Sequence, residues 1–189
     1  TIKITKKLGN TAVTGVEFEI YTGTEANGVL TNVRPAVDSQ GDEARITSGS
    51  SGLQIPAGTY YLKELTPDSI PEDMKNALYP NQYSQYAQLY KDKNMGVLDA
   101  NDNFYFKITV KDQAAVQTVT INNLENKGSV RGLKVDQDDR PLAGAAIGIW
   151  KKGAETGDPL QEYITSAKDG GVFLFSNLPV YNENGEKIT

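Results

Sequence analysis

Apolar and polar residues alternate along most of this chain, the pattern of strands with one buried face. Ile2, Ile4 and Lys6 fall on one face of the first run. Val16, Phe18 and Ile20 form a second inward row, with Glu17, Glu19 and Tyr21 opposite. Ile55-Pro56-Ala57 reads as a turn, and Gly58 to Glu64 as the strand after it, with Leu62 and Glu64 sharing a face. Phe104 to Val110 and Val116 to Asn123 are further strands; Val119, Ile121 and Asn123 share a face, and Asn122 points the other way. Clusters of Gly, Asn, Asp and Ser between these runs read as turns.

Residues 69–91 break the period. Ser69 is placed to cap a short helix, with Pro71 near its first position and Glu72 and Asp73 behind it. Tyr79, Tyr83, Tyr86 and Tyr90 follow at steps of four, three and four, a helical stripe. The expectation is a helical insertion at about 69–100. Its tyrosines either dock it onto the domain or form an exposed patch that grips a ligand.

The chain also repeats itself. Thr5-Lys6-Lys7, a polar turn, then Thr14-Gly15-Val16-Glu17-Phe18 is matched by Leu133-Lys134-Val135, a polar turn, then Ala143-Gly144-Ala145-Ala146-Ile147. Asn126-Lys127-Gly128-Ser129 is the candidate boundary. It gives a first domain over 1–127 and a second unit over 128–189.

Composition narrows the chemistry. The chain has 189 residues, net charge −5, and neither Cys nor His. Cysteine nucleophiles, His-based triads and nearly all zinc sites are thereby excluded, as are disulfides. A negative chain without a basic cluster gives no footprint for nucleic acid. No apolar run approaches the ~18 residues of a spanning helix. No leader opens the chain, since its first residues already alternate like a strand; a mature or excised fragment is expected. Asp99-Ala100-Asn101-Asp102-Asn103 resembles the start of a calcium loop, but Phe104 and Val110 stand where such a loop needs Gly and Glu. A hairpin turn is the better reading, and no metal or cofactor is expected.

The fragments Lys134-Val135-Asp136 with Leu142-Ala143-Gly144-Ala145, Tyr60-Tyr61-Leu62-Lys63-Glu64, Val119-Thr120-Ile121-Asn122-Asn123 and Asp169-Gly170-Gly171-Val172-Phe173 together resemble the SpaA and Cna type B-domain family of Gram-positive pilins and adhesins. The resemblance covers nearly the whole chain except the insertion. It implies an all-β, reverse immunoglobulin-like (prealbumin-like) β-sandwich, here with a helical insertion and followed by a partial second copy. It also implies a spontaneous Lys–Asn isopeptide bond, with Glu64 as catalyst and Lys6 and Asn123 as the joined residues. Lys134 is the corresponding lysine of the second copy, whose later Glu and Asn strands lie outside 128–189.

Strand parity is compatible with that chemistry, because Lys6, Glu64 and Asn123 each end an inward apolar row. An apolar site disfavours charge: buried Lys reaches a pKa of about 5–6 and buried Glu about 8–9. Lys6 would then be a neutral nucleophile and Glu64 a proton donor to the Asn123 amide. A surface reading stays open, with Lys6 snorkelling to water and Glu64 its salt-bridge partner. Such a bond forms once, so no enzyme activity is expected. The implied role is a structural stalk or pilin segment of an extracellular, cell-wall-attached adhesin, its partners other pilin subunits or a host extracellular protein. The alternative is a host-ligand-binding module using Tyr79, Tyr83, Tyr86 and Tyr90. A carbohydrate-binding accessory domain has only Trp150 in its favour.

Overall fold

The computed structural model describes residues 1–71, 74–182 and 184–188. The chain forms two compact units, Thr1–Glu125 and Asn126–Thr189.

The first unit is a β-sandwich. Its smaller sheet has the order β2-β1-β10-β7, with β1 Ile2–Leu8, β2 Thr11–Val13, β7 Ala77–Leu78 and β10 Gln117–Glu125. β1 and β10 run parallel, with Lys6 opposite Ile121 and Leu8 opposite Asn123. The larger sheet has the order β4-β8-β9-β6-β3-β5, with β3 Glu17–Ala26, β4 Val29–Pro35, β5 Arg45–Thr47, β6 Gly58–Glu64, β8 Val97–Asp99 and β9 Phe104–Val110. The inward rows meet between the sheets: Ile2, Ile4 and Ile121 from one, Phe18, Ile20, Leu62, Phe104 and Phe106 from the other.

The larger sheet has a second core on its outer face. β4 pairs with β3 on one edge and with β8 on the other, so β3, β4, β8, β9 and β6 close into a ring. Leu30, Tyr61, Val97 and Tyr105 are buried inside it, with Tyr21 and Val33 packed against them. Tyr21 and Tyr105 meet edge to face, their ring centroids 5.4 Å apart. The outward row of β3 therefore turns apolar at Tyr21 because the sheet curls over it.

Residues 69–100 hold less helix than their tyrosine spacing suggests. The helix α1 spans only Ser84–Asp92, and the short strands β7 and β8 flank it. Pro80 lies between Tyr79 and the helix, so the stripe is not continuous. The cap expected at Ser69 falls partly on Glu72 and Asp73, outside the described residues; Met74 N–H donates to Pro71 O.

The second unit contains β11 Gly128–Leu133 paired with β14 Val172–Leu178, and β12 Ala146–Ile149 paired with β13 Gln161–Ile164. It repeats one device of the first. In the first unit the buried Ser48 hydroxyl donates to Val13 O and accepts from Val16 N–H, beside Gly15 at φ 84°. In the second, the buried Thr165 hydroxyl donates to Leu142 O and accepts from Ala145 N–H, beside Gly144 at φ 78°. Left-handed backbone at both turns explains the repeated Gly. The pairing also fixes the equivalent lysines. Lys6 lies opposite Val13, and Leu142 N–H donates to Lys134 O at 2.8 Å.

Candidate functional site: a buried lysine, glutamate and asparagine

Three strands bring three polar side chains into the centre of the first unit. Lys6 is 0% exposed, Glu64 1% and Asn123 5%. Lys6 comes from β1 and Asn123 from β10, two residues beyond the residue opposite Lys6. Glu64 ends β6 in the facing sheet, opposite Phe18 of β3. Alternation places each of them inward: Lys6 stands between Ile4 and Leu8 in the buried row of β1, Glu64 and Asn123 follow Leu62 and Ile121, and Asn122 is exposed.

A single carboxylate oxygen joins the group. Glu64 Oε1 lies 3.3 Å from Lys6 Nζ and accepts a hydrogen bond from Asn123 Nδ2 at 3.2 Å. The Lys6 contact is close enough for an ion pair but lacks hydrogen-bond geometry, and Lys6 Nζ, Glu64 Oε2 and Asn123 Oδ1 are buried without a hydrogen-bond partner among the described residues. Buried polar groups are nearly always paired, so three orphaned atoms in one cluster mark an exception. The wall beside Lys6 is aromatic, with Nζ 6.0 Å from the centre of the Phe106 ring.

Burial dominates the protonation of the pair. Desolvation lowers the Lys6 pKa to about 8, although the Glu64 charge opposes it. Desolvation also pushes Glu64 above the ordinary carboxylate range, against the opposing pull of Lys6 and the Asn123 N–H. Both shifts favour the neutral amine and the neutral acid. The site can therefore present an unprotonated nitrogen to an amide, with a carboxyl group touching both.

No family model matches the chain, and no curated protein matches it. Among solved structures it resembles a streptococcal ancillary pilin at 17% identity and TM-score 0.39, over 95% of this chain and 50% of that one. It resembles the Bacillus anthracis TIE protein at 20% identity and TM-score 0.34, over 95% of this chain and 26% of that one. A third is the SpaE basal pilin of Lactobacillus rhamnosus GG, at 14% identity and TM-score 0.34, over 93% and 70%. The chain is similar to Gram-positive pilins. It spans about half the length of the first of these structures and about a quarter of the second.

The other candidates are placed differently. Lys134 is exposed just after β11, its Nζ donating to Val135 O at 2.9 Å. The tyrosines do not form an exposed stripe: Tyr79, Tyr86 and Tyr90 are buried, and only Tyr83 is half-exposed. Tyr79 lies before the helix and donates its hydroxyl to Met74 Sδ in the interior. Tyr86 and Tyr90 lie on the buried face of α1. Three of the four tyrosines expected to form a gripping patch therefore dock the insertion onto the domain instead. The Asp99 loop is the β8–β9 hairpin turn, its carboxylate filled by the Asn101 and Asn103 backbone N–H groups, the Asn103 amide and the Tyr105 hydroxyl. No helix among the described residues is long and apolar enough to cross a membrane.

Sequence reasoning missed Phe106 as a wall of the site and Tyr90 as its neighbour. Alternation puts Phe104 and Phe106 on one face of their strand, a signal that could have found Phe106; nothing in the spacing marked Tyr90 apart from the other three tyrosines.

Proposed function

We propose that the chain is a structural stalk or pilin segment of a Gram-positive surface adhesin, whose first unit joins Lys6 to Asn123 by an isopeptide bond. The observation that carries this reading is the shared oxygen: Glu64 Oε1 touches both the Lys6 nitrogen and the Asn123 amide nitrogen in a dry pocket.

The chemistry follows from that contact. Neutral Lys6 Nζ attacks Asn123 Cγ, and protonated Glu64 donates to the amide oxygen, which has no other partner. The tetrahedral intermediate loses its Nδ2 group. The proton that leaves Lys6 Nζ passes through Glu64 to Nδ2, one ammonia departs, and the re-forming carbonyl returns the proton on its oxygen to Glu64. One C–N bond forms, one breaks, and Glu64 ends as it began. Packing holds nucleophile and amide together, which supplies the effective concentration.

A bond between β1 and β10 serves a load-bearing role. These strands are parallel neighbours at the two ends of the first unit. Force entering at Thr1 and leaving after Glu125 would cross from one strand to the other through the bond, and residues 7–122 would carry none of it. The second unit, with the same Gly turn and the same hydroxyl lock, is a second module of the same kind. Lys134 is its cross-linking lysine once a partner strand covers it. The exposed apolar side chains Val130, Leu133, Ile164 and Leu174 support that assignment. The extracellular, wall-attached location and the pilin or host partners belong to the same proposal.

Single-molecule pulling tests the mechanical role. The first unit should not lengthen between Lys6 and Asn123 at any force below covalent rupture, and Glu64→Gln should restore full extension. Full extension of the wild type would rule out a covalently shielded stalk.

A further inference from the structure

The insertion reaches the site through one hydroxyl. Tyr90, on α1, is 0% exposed. Its Oη donates to Leu78 O at 2.6 Å and accepts from Leu124 N–H at 2.7 Å. Leu124 and Leu78 are register partners of β10 and β7. The hydroxyl therefore sits where a backbone hydrogen bond would join the two strands, splicing itself into the ladder. Its ring packs on Phe104 and on Phe106, centroids 5.2 and 5.8 Å away, and Phe106 is the ring beneath Lys6 Nζ.

Leu124 directly follows Asn123. β10 is held along one edge by β1, but on its other edge, among the described residues, only Leu124 and Glu125 are paired, by the two-residue strand β7. The Tyr90 hydroxyl thus fixes the backbone one residue beyond the amide that must meet Lys6. A shift of about 1 Å in a reacting group can slow a reaction by about a hundredfold.

We propose that Tyr90 is a positioning residue for the Lys6–Asn123 cross-link. This inference rests on the cross-link reading above. Tyr90 touches no reacting atom, so it sets the rate without changing the protons involved.

The test starts from full-length protein produced unfolded, refolded by dilution and sampled over time by intact mass under denaturing conditions. Tyr90→Phe keeps the ring and removes only the hydroxyl. Its folded fraction, followed by near-ultraviolet circular dichroism, should match the wild type, while loss of ammonia slows at least tenfold. A positioning role lowers the rate by the same factor at every pH and leaves the midpoint of the pH profile in place. Loss of ammonia within twofold of the wild-type rate overturns the proposal, as does a shifted midpoint. If the wild type itself loses no ammonia, the underlying reading fails and this one with it. If Tyr90→Phe does not fold, amide exchange in folded Glu64→Gln protein decides. A Leu124 amide as protected as Ile121 supports the clamp, and one exchanging as fast as a strand-edge amide overturns it.

Discussion

Lys6 and Lys134 stand at the same place in two copies of one turn. The Gly turn and the buried hydroxyl are common to both, with Ser48 serving one and Thr165 the other. Yet Lys6 is sealed against Glu64 and Phe106, while Lys134 reaches solvent and bonds to the adjacent carbonyl. The difference is not local. β1 is covered by β10 on one edge and by the facing sheet above, whereas among the described residues β11 is paired only with β14. The strands packed around a lysine decide whether it is buried, and its own segment is not sufficient.

The comparison breaks first at the bond. Replacing Asn123 by Ala removes the acceptor and reopens a loop of more than a hundred residues. By analogy with a disulfide, the unfolding free energy should fall by about 4–5 kcal/mol, measured by denaturant titration against the wild type. A change below about 1 kcal/mol would mean that no covalent constraint was lost.

A second effect separates charge from bond. Glu64→Gln cannot relay the proton, so Lys6 stays a free amine. Its folded pKa is about 8 beside Glu64 and falls further without that charge; the unfolded value is about 10.4. The unfolded state then binds more protons between these values, so stability must rise with pH across that window. The gain should approach about 1.4 kcal/mol per pH unit from about pH 8 to about 9.5, below the range where tyrosines titrate. A flat urea midpoint over this range would place Lys6 in water.

The shared lock gives a smaller effect, about equal in both units. Ser48→Ala and Thr165→Val each leave a carbonyl and an N–H unpaired, at a cost of about 1–3 kcal/mol. Amide exchange at Val16 and Ala145 should accelerate accordingly, each in its own unit. A response in one unit alone would end the claim that the turns are equivalent. Smallest of all, Lys134→Ala should alter stability by less than about 0.5 kcal/mol, as at an exposed site.

How much of this was legible beforehand depends on the range of the interaction. The inward placement of Lys6, Glu64 and Asn123 follows from alternation, a property of three or four neighbouring residues. So does the choice of Asn123 over Asn122. The ring closed by β4 and β8 was not legible, because Val29 and Leu30 pair with Leu98 and Asp99 across nearly seventy residues of chain. The tyrosine spacing misled for a different reason. Period alone shows that a helix has a face, and leaves open whether that face meets solvent or the core. Tyr90 is the sharpest case, since its importance lies in two backbone atoms that no side-chain pattern records.

Intact mass under denaturing conditions, on the wild type and on Glu64→Gln, tests the central claim most directly. The account predicts a wild type lighter than its sequence by one ammonia and a Glu64→Gln variant at full mass. A wild type at full mass would contradict it, leaving Lys6, Glu64 and Asn123 as a buried ion pair with an asparagine beside it.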